Sequence, residues 1–215
     1  MKKNWLIILL AAALVTVSAR LAYEHNSADA GDDSTEASAS ADALECIMTR
    51  YSLRSYSPQK VNDSITEKIL RAGMAAPTAV NKQPWEMVVI TDWALKDSLA
   101  NLSRGTSMMK DAPLIISVCA NTNRFLEGDT PQGGYWVQDC SAATENMLLA
   151  AHALGLGGVW CGVFPVQERV DRMRALLNLP DTLIPLNVIA FGYPAGPGSV
   201  KEKWAPGRVH YNRFK

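Results

Sequence analysis

The stretch TRYSLRSY at residues 49–56 sets Arg50, Ser52 and Arg54 at every second position. On an extended backbone alternate side chains leave on the same side, so two guanidiniums and a hydroxyl would converge on one patch. Guanidinium is a planar fork of donors that suits a phosphate, and a second guanidinium leaves capacity for another electron-rich group. A solvated basic loop would carry the same residues. A second stretch, APTAVNKQPW at residues 76–85, places Asn81 and Gln83 two apart ahead of Pro84 and Trp85. Each amide offers donors and acceptors together, as needed to read the edge of a heterocycle. Turn chemistry explains the Asn well and the Gln poorly. Pro77 and Pro84 stiffen the link and lower the ordering needed on binding.

Other chemistries find little in the chain. The glycines Gly155, Gly157 and Gly158 follow a helical pattern and open a strand-like run. A dinucleotide-binding turn has the opposite order, so they read as a helix stop. No Gly-x-Ser-x-Gly occurs. Of the three histidines, His25 falls in a polar stretch, His152 in an apolar helix, and His210 near the C-terminus. The four cysteines, Cys46, Cys119, Cys140 and Cys161, include no Cys-x-x-Cys pair, and there is no His-Glu-x-x-His. No metal site is expected. Three of the cysteines lie in apolar elements, where a thiol packs as a small hydrophobe, and no disulfide pair is assigned. A formal net charge of zero and the lack of a Lys/Arg run argue against a nucleic-acid partner.

The elements that must hold the two stretches follow from periodicity. Residues 64–76, SITEKILRAGMAA, show helical spacing of Ile65, Ile69 and Leu70, with Ser64 and Glu67 at capping-box separation. The runs EMVVIT and PLIISVC read as buried strands with a helix, DWALKDSLANLS, between them. Residues 138–157 form a long helix apolar or small on nearly every face, destined for the core or an interface. GVWCGVF then reads as a strand, residues 166–179 as an amphipathic helix, and LNVIAFGYP as the last strand. The expected fold is α/β (α+β), a mixed sheet wrapped by helices with one helix buried at the centre. The stretch RFLEGDTPQGGYWVQ reads as loop, where Tyr135 and Trp136 either face a substrate or pack.

The first residues, MKKNWLIILLAAALVTVSA, have a basic start, an apolar run and a small-residue end, the pattern of a signal peptide. An uncleaved anchor is the alternative, since about 20 apolar residues span a bilayer. This gives residues 1–19 as signal peptide or membrane anchor, 20–42 as a disordered Ser/Ala/Asp-rich tether, and 43–215 as the folded domain. The location expected is exported, periplasmic or anchored to the membrane through this segment.

TRYSLRSY, ILRAGMAAPTAVNKQPWEMVVI, AATENMLLAAHALGLGGVWCGVF and VIAFGYP…KEKW occur in an order and spacing that resembles the nitroreductase family of FMN-dependent oxidoreductases. The similarity spans residues 43–214. It implies a homodimer with FMN in each interface crevice and NADH or NADPH as donor to a small electron acceptor. The flavin itself would carry the chemistry by a ping-pong route, with no catalytic acid or base. Arg50 and Ser52 match positions that hold the FMN phosphate, with Tyr51 beside them, and Arg54 matches one facing the pyrimidine end of the flavin. Pro77, Thr78, Asn81 and Gln83 match the segment that meets the flavin, often that of the other subunit. Cys161, Gly162 and Val163 match a strand offering backbone donors near the reactive nitrogen. Lys203 stands where the family usually has a basic residue on the phosphate; Arg is common there, and Arg208 is the alternative. A flavin-binding protein without turnover, and a dehalogenating or ring-cleaving relative, are the other readings.

Overall fold

The computed structural model describes residues 42–214, within a unit spanning Ala41–Lys215. Its sheet has four strands, β1 (Trp85–Ile90), β2 (Leu114–Asn121), β3 (Gly157–Gly162) and β4 (Leu183–Gly192). They lie in the order β1-β2-β4-β3, and every neighbouring pair is antiparallel. The expected α/β architecture of a sheet wrapped by helices is what forms; among the described residues its strands pair antiparallel throughout, and the parallel component of the expected mixed sheet is the isolated bridge from Ser52 to Gly158 of β3.

The described residues form five α-helices about the sheet: α1 (Ala43–Thr49), α2 (Asp63–Met74), α3 (Trp93–Ala100), α4 (Tyr135–Ala153) and α5 (Gln167–Leu177). Strand β2 shows how the layers arise. Leu114, Ile116, Val118 and Ala120 turn toward Ile69 of α2 and Met147 of α4, while Ile115 turns toward Leu99 of α3 and Met173 of α5. Both faces are thus dry, which is why β2 and β4 read as largely apolar runs, interrupted inside by Ser117 and Asn187.

Local signals set the helix ends. Asn62, in extended backbone, caps α2 by accepting from the Ile65 N–H at 2.8 Å. The capping box expected at Ser64 and Glu67 does not form, because Ser64 is already inside the helix; Glu67 instead pairs with Arg71 one turn on at 2.7 Å. Asp92 caps α3 on the Leu95 N–H at 2.9 Å. Helix α4 stops as read from its glycines: Gly155 takes φ +77°, and the Leu156 N–H closes the end on the Ala151 carbonyl at 2.8 Å.

Helix α4 buries a stripe of Trp136, Cys140, Ala143, Met147, Leu148 and Ala151 against the sheet. Its opposite side is only half-buried, so within one chain the helix is not covered all round. Tyr135 and Trp136, expected in a loop, form the first turn of this helix, where Trp136 is fully buried while Tyr135 is exposed. Trp136 packs parallel to Phe125 with centroids 5.7 Å apart and edge-on to Phe164 at 4.8 Å. Its indole N–H donates to the Thr130 carbonyl at 2.9 Å. The open question between these two aromatics resolves for Trp136: it packs.

Candidate functional site

The Arg-x-Ser-x-Arg segment lies along the outer edge of β3. Leu53, buried, donates its N–H to the Gly158 carbonyl at 3.1 Å and turns its side chain inward. Arg50, Ser52 and Arg54 then share a cleft of about 220 Å³, as the alternation requires. Tyr51, Ser199, Lys201 and Lys203 complete its walls, and no carboxylate lines it. Arg50 is oriented by Glu145 of α4, its Nε 3.0 Å from the carboxylate. Beneath Tyr51 lies His152, with ring centroids 6.4 Å apart and edge to face, and the His152 Nε2 bonds the Thr49 hydroxyl at 2.8 Å. A histidine read as a plain helix residue thus supports the segment.

Gly157 is what lets the segment approach. A Cβ there would lie 2.7 Å from the Leu53 Cβ and 2.8 Å from its Cδ2. Gly157→Ala is accordingly expected to displace Leu53 and to lower unfolding stability by about 1–3 kcal/mol, as overpacking does. Urea denaturation checks this, and an unchanged midpoint would mean that the segment is held elsewhere.

A second cavity, of about 410 Å³, opens on the other side of Arg54. It is lined by Arg54, Arg104, Arg169, Ser103, Gly105 and the strand residues Val159, Trp160, Cys161 and Gly162. Arg54 lines both spaces, so they adjoin at this residue. The Cys161 thiol donates to the Gly105 carbonyl at 3.4 Å. Burial pushes this thiol above its ordinary range, with Arg54 and Arg169 pulling it back. Val163 does not fit the role expected for it. It is fully buried, and its N–H is spent on the Leu186 carbonyl at 3.0 Å, so it offers no donor to a ligand.

Pro77, Thr78, Asn81 and Gln83 line neither space within one chain. Their segment is built tightly all the same. The Gln83 side chain donates to Asn81 Oδ1 at 3.1 Å, the Gln83 N–H donates to the Thr78 hydroxyl at 3.1 Å, and the Ala79 N–H donates to the Asp139 carboxylate at 3.0 Å. Val80, Asn81 and Gln83 all hold φ near +50°. Left-handed backbone at non-glycine residues costs about 1–3 kcal/mol each and persists only where the surroundings dictate it. Here Asp139, on the buried stripe of α4, is the anchor.

Burial raises the Asp139 carboxyl above the usual carboxylate range, against the lowering effect of the Ala79 N–H. A raised pKa means that the folded state holds the proton more tightly than the unfolded state. Stability from this group is therefore full below the unfolded pKa and is lost as pH rises through the folded value. Asp139→Asn keeps an acceptor for Ala79 and removes the charge. It is expected to match the wild type in acid and to melt higher at neutral pH, the gap opening as pH rises; a wild type that melts higher at neutral pH would contradict this.

Lys201 and Ser199 escaped the sequence reading. Lys201 was legible as the partner of Lys203 two places on, a spacing that turns both toward one side of an extended tail. Arg104 and Arg169 gave no local signal, and only the fold brings them beside Arg54. Arg208, the alternative to Lys203, sits in the turn Pro206–Arg208 and does not line the cleft.

The Nitroreductase family model matches residues 47–107 and 103–193. The chain belongs to the nitroreductase family. This chain is 41% identical over 173 residues to a protein of Methanothermobacter thermautotrophicus provisionally named NADH dehydrogenase/NAD(P)H nitroreductase, covering 80% of this chain and 88% of the relative. A crystal structure from Parabacteroides distasonis, provisionally under the same name, superposes with a TM-score of 0.75 at 38% identity, covering 80% of this chain and 98% of that one. A Desulfovibrio desulfuricans structure provisionally named a nitroreductase, in complex with FMN, matches with a TM-score of 0.68 at 33% identity, covering 81% and 98%.

These matches correct the localisation read from the first residues. The relatives align over nearly their whole lengths, which leaves almost no room in them for an export or anchoring segment, and the family match here begins at residue 47. Among the described residues no helix is long and apolar enough to cross a membrane. Exported, periplasmic or membrane-anchored placement is withdrawn; residues 1–19, on which it rested, lie outside the described residues.

Proposed function

We propose that this nitroreductase-family chain is an FMN-dependent NAD(P)H oxidoreductase that reduces nitro compounds, quinones or similar small acceptors, with residues 43–215 as its catalytic unit. The observation that carries the reading is the basic cleft joined at Arg54 to a second cavity along β3. Its donor set fits a phosphate monoester at one end: the free ends of Arg50, the Ser52 hydroxyl, Lys201 and Lys203 surround a space with no lining carboxylate. The FMN complex of the Desulfovibrio relative and the NAD(P)H in the name of the Methanothermobacter one support the choice of cofactor and donor.

FMN, when bound, supplies hydride acceptance and donation, and a single stacking site serving donor and acceptor in turn gives a ping-pong order. The chain's own part is positioning and charge. Arg50, Tyr51, Ser52 and Lys203 fix the phosphate end. Arg54 sets a fixed positive charge where reduction leaves negative charge, which favours the reduced form. Cys161 and Gly162 of β3 line the second cavity and would form one wall for the ring. No side-chain acid or base is assigned, and no metal.

The reading includes a homodimer. The half-buried side of α4 and the exposed Leu44, Ile47 and Met48 of α1 form apolar surface that a second copy would cover. Pro77, Thr78, Asn81 and Gln83 would then complete the site of the other subunit, consistent with their distance from the cleft of their own.

An absorbance spectrum of the purified protein, followed anaerobically on adding NADH or NADPH, tests the function. Flavin bands that bleach with either donor are expected. Bands that never bleach would move the reading to a binding protein, and absence of flavin after reconstitution with FMN would end it.

A further inference from the structure

We infer that His152 of α4 is a positioning residue for the phosphate end of the site, and that its ring takes up a proton when a phosphate enters the cleft of Arg50, Lys201 and Lys203. This rests on the oxidoreductase reading for FMN as the bearer of that phosphate, and on the cleft for the charge.

The contacts of Thr49 fix which ring nitrogen carries hydrogen. The Thr49 hydroxyl has one proton, and it is spent on the Glu45 carbonyl at 2.6 Å. The His152 Nε2, 2.8 Å from the same oxygen, must therefore donate to it. Nδ1 makes no hydrogen bond among the described residues, so it is able to accept a proton while the Nε2 contact stays as it is. Protonation thus adds a charge without moving the ring.

That charge would lie where a phosphate feels it. Tyr51 meets His152 edge to face and also lines the cleft. The C-terminal tail crosses the Tyr51 ring at Gly198, where a Cβ would fall on the ring itself, and the same tail brings Ser199, Lys201 and Lys203 into the cleft. Through Thr49 and Tyr51, His152 therefore braces both the segment that bears Arg50 and the ring on which the basic tail rests. The charged groups around the imidazole come from every side. Glu145 lies two turns earlier on α4 and is paired with Arg50; Glu45 of α1 is exposed; Arg50, Arg54, Lys201 and Lys203 line the cleft that Tyr51 shares. Both carboxylates stay as they are when a ligand arrives, so the new negative charge is the phosphate itself. An anion brought near an imidazole favours its charged form, and histidine is the side chain whose charge changes between about pH 5 and 8. The last turn of a helix also favours a cation, and His152 occupies that of α4. A proton taken up on binding means that binding tightens as pH falls.

The dissociation constant of FMN, measured by flavin fluorescence on the full chain at about pH 6 and about pH 8, tests this with wild type and His152→Gln side by side. Gln keeps a donor for Thr49 and takes no charge. The phosphate's own protonation, near pH 6, is common to both proteins and cancels between them. The two should bind FMN alike at the higher pH, and the ratio of the constants at pH 8 and pH 6 should be about threefold or more larger in the wild type. Riboflavin, which has no phosphate, should show no such difference. His152→Ala, which lacks the donor as well, should bind FMN more weakly at both pH values. Equal ratios in wild type and His152→Gln, or the same difference with riboflavin, overturn the inference and leave the flavin reading standing. A second measurement needs no variant at this position: the ring-proton resonance of His152, assigned by elimination with His25→Gln and His210→Gln, should titrate at higher pH with inorganic phosphate present than without. A resonance that phosphate leaves unmoved overturns the inference, and one that responds to phosphate in a protein that binds no flavin upholds it while ending the oxidoreductase reading.

Discussion

Replacing Arg50 with alanine is expected to raise the dissociation constant for FMN about a hundredfold, measured by quenching of flavin fluorescence on titration with protein. Two effects combine. The variant loses charge-assisted hydrogen bonds to a dianionic phosphate, worth about 1.5–3 kcal/mol, where about 1.4 kcal/mol is tenfold. It also releases Glu145, whose carboxylate lies 3.0 Å from the Arg50 Nε and would then face the cleft without a partner. Lys203→Ala should weaken binding less, by about tenfold or under, because Lys203 is exposed and Lys201 stands beside it. Adding Glu145→Gln to Arg50→Ala should recover part of the loss. An Arg50→Ala protein that keeps its flavin through dialysis as the wild type does would place the phosphate elsewhere.

The largest effect on stability is expected at Trp136. Truncation to alanine empties a fully buried space and removes the indole N–H from the Thr130 carbonyl, to which it donates at 2.9 Å, leaving that oxygen with the Gly133 N–H alone at 3.0 Å. Large aromatic-to-alanine changes in a core lower stability by about 3–5 kcal/mol, and the lost contacts with Phe125 and Phe164 put this site at the upper end. Tyr135→Ala, one residue away and exposed, should stay within about 0.5 kcal/mol. Urea unfolding of the two variants side by side reads the contrast. Similar losses at both positions would mean that Tyr135 has a packing partner in the assembled protein.

How much could be read before folding depended on the range of the signal. Strands β2 and β4 announced themselves because burial on both faces leaves few positions for a polar residue, Ser117 and Asn187 being the buried ones inside them, so composition marks them. The Arg-x-Ser-x-Arg triplet was legible for a related reason: a period of two needs only an extended backbone, and Leu53 turning inward enforces it. The signals that misled were the local ones with close competitors. Ser64 and Asn62 both suit a helix start, and their difference lies in which backbone unit first turns helical. Val163 follows two strand residues that face the cavity, yet the chain has by then turned to give its N–H to Leu186. Arg104 and Arg169 belong to elements far apart in sequence, one in a short turn before β2 and one on α5. Nothing but the sheet order places both beside β3. Gly157 was seen as a helix stop, and that reading left out its second task of admitting Leu53.

The edge of β3 carries a liability of its own. The sheet ends there, and what shields it is the short segment holding Arg50, Ser52 and Arg54, joined to β3 through the Leu53 N–H on the Gly158 carbonyl and to α4 through the Arg50–Glu145 pair. An open strand edge is a template for pairing with another chain, and basic residues along it are a common guard. Charge neutralised by a phosphate guards less by repulsion, but a ligand lying across the segment would pin it in place. The unloaded protein is therefore the form in which amide protons along β3 should exchange fastest with deuterium. It is also the form most prone to clump during expression, which makes flavin supply a matter of solubility as well as of activity.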